Sequence, residues 1–173
     1  MKLSRWSMVA LLAVLLPLVA SAAETEKIFQ SDKLKYSFRY SSDYQLKTAG
    51  DITYLVSPHK DKKSGFAPNV NVAVKYVGRQ ALKDVYEKGK GDLAVSLGDA
   101  KIIEDTKDRV AGLDAYKLVY TSQQNKVGFK LAQVMFKSAD GFIYVITYTT
   151  LTELFDLEVG MFQAVLKSFK ITG

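Results

Sequence analysis

One segment constrains the fold more than any other. Between Phe142 and Thr149 the chain is apolar on both of its alternating faces. One face carries Phe142, Tyr144, Ile146 and Tyr148, and the other carries Ile143, Val145 and Thr147. Successive side chains of a strand point to opposite faces of its sheet. We therefore predict a central strand here, in a sheet that other layers cover above and below.

Other segments show the alternation of apolar and polar residues that is typical of half-buried antiparallel strands. The clearest runs from Asn69 to Tyr76, where Val70, Val72 and Val74 alternate with more polar residues. Further strands are predicted over Tyr36–Tyr40, Ile52–Val56, Lys101–Val110, Tyr116–Thr121 and Val127–Lys137. Reversals are predicted at Ala111–Gly112, at Ser122–Asn125 and at Ser138–Gly141, whose glycine can adopt the positive φ of a tight hairpin.

Between Arg79 and Leu97 the apolar residues recur at helical spacing, which predicts an internal amphipathic helix. Gly89 and Gly91 lie in its middle, and each costs about 1 kcal/mol relative to alanine. We therefore expect this helix to depend on packing and to kink or break at the glycines.

The last element is predicted to be a C-terminal helix. Thr150 and Glu153 have the spacing of a capping box, which places the start of the helix at Thr150. An apolar stripe from Leu154 to Phe169 would then lie on the sheet. The predicted fold class is α+β, a single-domain α/β/α sandwich in which an antiparallel sheet is packed by the internal amphipathic helix and the C-terminal helix.

The beginning of the chain has the pattern of a Sec signal peptide. Lys2 and Arg5 form a short basic region, 13 mostly apolar residues follow from Met8 to Ala20, and small residues surround the expected cut after Ala22 or Ala23. A membrane-spanning helix needs about 20 apolar residues. We therefore expect residues 1–22 to be cleaved, with no integral membrane segment in the mature chain.

The mature domain is expected to comprise residues 23–173 and to be periplasmic or secreted. The chain contains no cysteine, so it lacks the lipid-carrying residue of a lipoprotein, and disulfides and cysteine-bound metals are excluded. Cleavage would remove two of the 24 basic groups and none of the 18 acidic ones, which leaves a mild basic excess. Charges of both signs are scattered along the chain, a distribution that does not favour nucleic-acid binding.

The densest charge cluster is the segment from His59 to Lys63. It is typical of a solvated loop between strands. The alternative is a docking patch for an acidic partner or an anionic membrane surface, formed by His59, Lys60, Lys62 and Lys63. His59 is the only histidine, and no nucleophile motif accompanies it, so we expect no catalytic residue, no metal ligand and no cofactor.

The ten tyrosines are the remaining notable feature. Most fall on inward-facing strand positions, which is typical of core packing with the hydroxyls at the sheet edge. The alternative is an aromatic-lined groove between sheet and helix that takes an apolar ligand or a partner segment. The side chains to inspect are Tyr76, Tyr86, Tyr116 and Tyr148.

Several local strings and the order of the elements resemble a known family. The strings are Tyr36–Tyr40, Asn69–Val74, Gly112–Tyr120, Gly141–Tyr148 and Ser168–Ile171. Together they resemble the PsbP-like superfamily, which includes the extrinsic photosystem II protein, periplasmic DcrB-type proteins and a nuclear import factor that binds Ran. Photosystem members carry proline and tryptophan after the first strand, where this chain has Ser41-Ser42-Asp43-Tyr44, which argues against a photosystem role.

The resemblance implies an α/β/α sandwich and a protein that acts by binding rather than by catalysis. We therefore expect a non-enzymatic accessory protein that contacts an envelope or membrane-associated protein partner. The alternative is a carrier or binder of a small apolar molecule or lipid in the aromatic groove.

Overall fold

The computed structural model describes residues 25–97 and 99–172. The strands are β1 Glu26–Ser31, β2 Tyr36–Ser41, β3 Gln45–Ala49, β4 Ile52–Val56, β5 Asn69–Tyr76, β6 Lys101–Val110, β7 Leu113–Gln124, β8 Val127–Lys137, β9 Phe142–Leu151 and β10 Lys170–Ile171. The helices are α1 Leu82–Leu97, α2 Phe155–Glu158 and α3 Gly160–Ser168, and a 3₁₀ turn, Thr152–Leu154, precedes α2. The predicted signal peptide, residues 1–22, lies outside the described residues.

In the described chain, seven antiparallel strands form one large sheet in the order β3-β4-β5-β9-β8-β7-β6. The central strand predicted from its two apolar faces is confirmed, because β9 lies between β5 and β8. Ile146 of β9 pairs with Val72 on one side and with Val134 on the other. A second, smaller sheet has the order β1-β2-β10.

One face of the large sheet, called here the closed face, is covered by α2, α3 and the small sheet. Its core is rich in aromatic rings, including Tyr36, Phe136, Tyr144 and Phe169, all of which are buried. The Tyr36 and Phe169 rings stack with centroids 5.3 Å apart. The Tyr36 hydroxyl crosses between the sheets and donates to Thr53 Oγ1 at 2.6 Å.

The opposite face, called here the α1 face, is covered by α1. Tyr86 of the helix is buried against strand residues such as Leu118 and Met135. The helix begins at Leu82 and is unbroken at Gly89 and Gly91, so the predicted break is wrong. Packing of the helix on the sheet compensates for the low helix propensity of the two glycines. The α+β class with helices on both faces is confirmed.

The predicted start of the C-terminal helix at Thr150 is also wrong. Thr150 and Leu151 continue β9, because they pair with Lys130 and Phe129 of β8. The helical region then consists of the two separate helices α2 and α3, and no side-chain cap begins either one. Three strands were not predicted, namely β1, β3 and β10. Within the described part of the chain, none of the helices is long and apolar enough to cross a membrane.

Candidate functional site

The four tyrosines of the predicted groove do not lie together. Tyr86 and Tyr116 stack on the α1 face with ring centroids 4.4 Å apart. Tyr148 is fully buried on the closed face and stacks with Phe162. Tyr76 is 64% exposed at the end of β5, where its ring packs against Phe142. The large sheet separates Tyr148 from the stacked pair, so one groove lined by all four is not formed.

The Tyr86 ring belongs to a polar network that joins α1 to β6. Its hydroxyl donates to Asp105 Oδ1 at 2.5 Å, and Lys90 Nζ donates to Asp105 Oδ2 at 2.8 Å. Lys90 also pairs with Glu87 at 2.8 Å. Burial raises the pKa of Tyr86, and the bond from Lys90 lowers the pKa of Asp105. A neutral tyrosine and a paired carboxylate hold the helix to the edge strand, so the network has a structural role.

The predicted docking patch lies on the loop between β4 and β5, residues 57–68. Asp61 folds this loop, since its carboxylate accepts from Lys63 N at 3.0 Å and from Ser64 N at 2.6 Å. The Ser64 bonds lower the pKa of Asp61. His59, Lys60, Lys62 and Lys63 are all exposed. Among the described residues none of these four forms an ion pair, so the loop presents unneutralised basic side chains and is called here the basic loop.

Sequence reasoning missed an exposed apolar surface at the end of α1. Seven large apolar side chains are exposed in the described chain, and four of them fall between residues 95 and 103. They are Val95, Leu97, Ile102 and Ile103. Leu97 also lines a cleft with Phe66 and Phe129, and these six residues are called here the α1-end surface. The signal that could have found it is the pair of isoleucines at the start of an otherwise polar strand. Clustered apolar exposure of this kind marks interaction sites.

A β-bulge explains why Ile103 is exposed. Ile102 pairs with Tyr120, and Glu104 pairs with the next residue of β7, Val119, so Ile103 is the extra residue of β6. A bulge bends a strand and redirects side chains, and bulges are frequent at sheet edges. The strand β6 is an edge strand of the large sheet. Ile103 is consequently 58% exposed instead of packing on a neighbouring strand.

The α1-end surface continues into a cleft that touches the basic loop. Leu97 and Leu131 line this cleft together with Phe66 and Phe129, whose rings meet edge to face at 5.0 Å. The cleft volume is about 420 Å³. Phe66 belongs to the basic loop, and its carbonyl accepts from Asp61 N at 2.8 Å. The cleft therefore adjoins the basic loop through Phe66.

The segment after α1 is held in place by Asp99. Its two carboxylate oxygens accept from Ser122 Oγ at 3.1 Å and from Gln123 N at 2.8 Å, at the end of β7.

In the described residues, no group of three or more histidine, aspartate or glutamate side chains could hold a metal ion. What this arrangement offers a ligand is apolar contact area beside positive charge.

The large antiparallel sheet, the helix across one face and the mixed layer across the other define a class of small three-layer α+β domains. A family model described as PsbP-like protein matches residues 19–171. The chain belongs to this family, as the resemblance predicted. No curated protein matches the chain.

Solved structures share the fold at low sequence identity. LpqN of Mycobacterium tuberculosis, described as involved in cell envelope biogenesis, is 13% identical with a TM-score of 0.64, covering 89% of this chain and 88% of LpqN. The cyanobacterial PsbP of Synechocystis is 16% identical with a TM-score of 0.57, covering 91% and 98%. The Ran-binding protein Mog1p of Saccharomyces cerevisiae is 10% identical with a TM-score of 0.60, covering 87% and 97%. At these identities the likeness establishes the fold alone.

Proposed function

We propose that this chain is an exported, non-enzymatic accessory protein that acts by contact with a protein partner in the cell envelope. The docking site of this proposal is the α1-end surface together with the basic loop. The single observation that carries it is the concentration of exposed apolar side chains in the segment 95–103, of which Leu97 lines the apolar cleft beside the basic loop. Family membership supports it, and so does the likeness in fold to LpqN, which is involved in cell envelope biogenesis, and to the Ran-binding protein Mog1p.

Apolar burial would supply the affinity. Removing an isoleucine or leucine side chain fully from water contributes about 1.5–3 kcal/mol. Leu97, Ile102 and Ile103 are partly exposed in the free protein and would gain part of that amount on docking. Interface energy is usually concentrated in a few such side chains near the centre of the contact.

The basic loop would select the partner. Lys60, Lys62 and Lys63 are exposed and adjoin the apolar cleft through Phe66. A partner with apolar residues flanked by acidic ones is complementary to this arrangement. Rim charges of this kind accelerate association and suppress wrong partners more than they add affinity.

The test is site-specific photocrosslinking in cells that export the protein. A photoreactive residue at position 103 is expected to capture one reproducible partner. The matched control position is Ile28, another isoleucine, 68% exposed on the small sheet, from which we expect no such product. The captured protein is then purified and its binding is titrated.

Charged substitutions complete the test. Ile103→Asp should abolish the crosslink from position 97 and weaken binding of the purified partner, whereas Ile28→Asp should leave both unchanged. Lys62→Glu with Lys63→Glu should slow association and reduce its salt dependence. Equal capture from positions 28 and 103, or no specific capture from position 103, would contradict the proposal.

A further inference from the structure

A second cleft lies on the side of the molecule that carries α3, away from the α1-end surface. It opens between α3 and the end of β2 and has a volume of about 560 Å³. Its floor is formed by Leu55 and Met161, both members of the closed-face core, with Tyr40 beside them. Leu55 is only 1% exposed, so the cleft reaches the hydrophobic core.

The rim of this cleft is basic. Arg39, Lys167 and Lys170 surround it with a single acidic residue, Glu26. Arg39 Nη1 lies 3.5 Å from Glu26 Oε2, and both side chains are more than half exposed. Among the described residues, Lys167 and Lys170 form no ion pair. Two exposed lysines without an ion pair among the described residues therefore line a cleft that has an apolar floor.

The Ser168 hydroxyl, which also lines the cleft, is already engaged in hydrogen bonds. Ser168 Oγ accepts from Arg39 N at 2.9 Å and donates to Ala164 O at 2.7 Å. This hydroxyl therefore secures α3 against β2. Lys167 and Lys170 are the cations of this rim that form no ion pair among the described residues, whereas Arg39 is shared with Glu26.

We propose that this cleft binds a monomeric anionic amphiphile with a single acyl chain and a carboxylate head. The chain lies on Leu55, Met161 and Tyr40, where its burial is favourable in proportion to the apolar area removed from water. The carboxylate lies between Lys167 and Lys170, in charge-assisted hydrogen bonds. This site is separate from the proposed docking surface and does not depend on it.

The size and the walls of the cleft fit such a ligand. Small-molecule sites usually have volumes of about 300–1,000 Å³ and combine apolar walls with a few placed polar groups. The α3 wall presents Gly160 and Ala164, which leave room above Met161. A Cβ atom at Gly160 would meet nothing within 4 Å. The wall can therefore be filled by substitution without disturbing the core.

The test uses the mature protein and titration calorimetry with decanoate below its micelle concentration. We expect saturable binding of decanoate, weaker binding of the uncharged alcohol of the same length, and none of butyrate. Lys167→Gln with Lys170→Gln should weaken decanoate binding by about tenfold or more, which corresponds to about 1.4 kcal/mol. Ala164→Phe should abolish it by filling the cleft from an exposed position.

The matched charge control is Lys83→Gln with Lys107→Gln, at a different cleft that is also lined by cations. It removes the same charge and should leave decanoate affinity unchanged, and denaturation midpoints verify that each variant is folded. If the control pair weakened decanoate binding equally, the effect would come from the net charge of the protein, and the proposal would be overturned. Binding to vesicles of anionic phospholipid without binding of decanoate would overturn it as well, in favour of a membrane surface.

Discussion

The two faces of the large sheet differ in what covers them. The closed face is sealed by aromatic rings that touch one another, as Phe136 does with Tyr144 at 5.5 Å and with Phe169 at 5.3 Å. The α1 face is covered by a single helix that contains two glycines. Because the buried cluster of the closed face is much larger than that of the α1 face, we expect the closed face to contribute more to the free energy of unfolding.

The part of the α1 face beyond the helix sharpens this contrast. A row of paired residues crosses it from β4 to β8, namely Tyr54, Asn71, Thr147 and Gln133. Gln133 Nε2 donates to Thr147 Oγ1 at 3.2 Å. Tyr54, Asn71 and Gln133 are half-buried and Thr147 is buried, and all four carry an amide or a hydroxyl, as expected of a face that is partly open to water. Ile102 departs from that pattern on the same face, because it pairs with Tyr120 of the α1-face core and is nevertheless exposed.

The largest expected effect comes from truncating one phenylalanine on each face of β8. Phe136 is fully buried on the closed face, and Phe129 is half-buried on the α1-end surface. Phe136→Ala should lower the free energy of unfolding by about 3–5 kcal/mol because it leaves a cavity. Phe129→Ala should cost well under half of that, since its site is open to solvent.

Urea denaturation measures both losses, and the two variants control for each other because they change the same residue on the same strand. Equal losses would contradict the expected difference between the two faces. They would show that the α1-end surface contributes as much as the closed face to the stability of the free protein. A smaller loss for Phe129→Ala with weaker partner binding would sharpen it.

The next effect compares two tyrosine hydroxyls. Tyr36→Phe leaves the buried Thr53 hydroxyl without its donor and should cost about 1–3 kcal/mol. Tyr86→Phe should cost less, because water can replace the lost hydroxyl as a donor to the partly exposed Asp105 carboxylate. Burial raises the pKa of Tyr36 to about 12, so the Tyr36 loss should be constant from neutral pH to about pH 10. A larger loss for Tyr86→Phe in thermal or urea denaturation would reverse the comparison.

A smaller effect distinguishes the two faces by the pH dependence of the free energy of unfolding. The bonds from Lys90 and Tyr86 lower the pKa of Asp105 in the folded protein. Such a group stabilises the fold above its unfolded pKa, about 3.9, and this stabilisation is lost as the pH falls through the folded pKa. The stability difference between the protein and Asp105→Asn should therefore be present at pH 7 and shrink in acid.

Urea midpoints at pH 7 and pH 3 measure this change. Tyr36→Phe is the reference from the closed face, because neither hydroxyl of the Tyr36–Thr53 bond titrates in that range. A difference for Asp105→Asn that is the same at both pH values would show that the Asp105 charge contributes nothing to holding α1.

The sequence alone predicts the elements whose side chains alternate strongly. The central strand, the strands β5, β6 and β8 and the helix α1 were predicted close to their observed bounds, and β7 was predicted over its middle part. The prediction at Thr150 fails because pairing with β8 outweighs a local capping pattern. The strands β1 and β3 are short and largely exposed, so no apolar alternation marks them.

The candidate site was predictable only in part. The basic loop is visible as a charge cluster in the chain, and its compact form depends on the bonds to Asp61. The apolar cleft joins Phe66, Leu97 and Phe129, which are far apart in sequence. The exposure of Ile103 depends on a β-bulge that no local sequence pattern predicts. Sequence periodicity does not predict a site whose residues are brought together only by the topology of the sheet.

The smallest expected effect is a gain in stability from a substitution in α1. Gly91 is exposed in α1, and a Cβ atom there would meet nothing within 4 Å, so Gly91→Ala should add about 1 kcal/mol to the free energy of unfolding. For a domain of this size that raises Tm by about 2–4 °C. The same substitution at Gly112, where φ is +78°, should lower Tm because alanine is strained there. If Gly91→Ala gives no gain while Gly112→Ala destabilises, helix propensity does not limit the stability of α1, and packing on the sheet alone determines it.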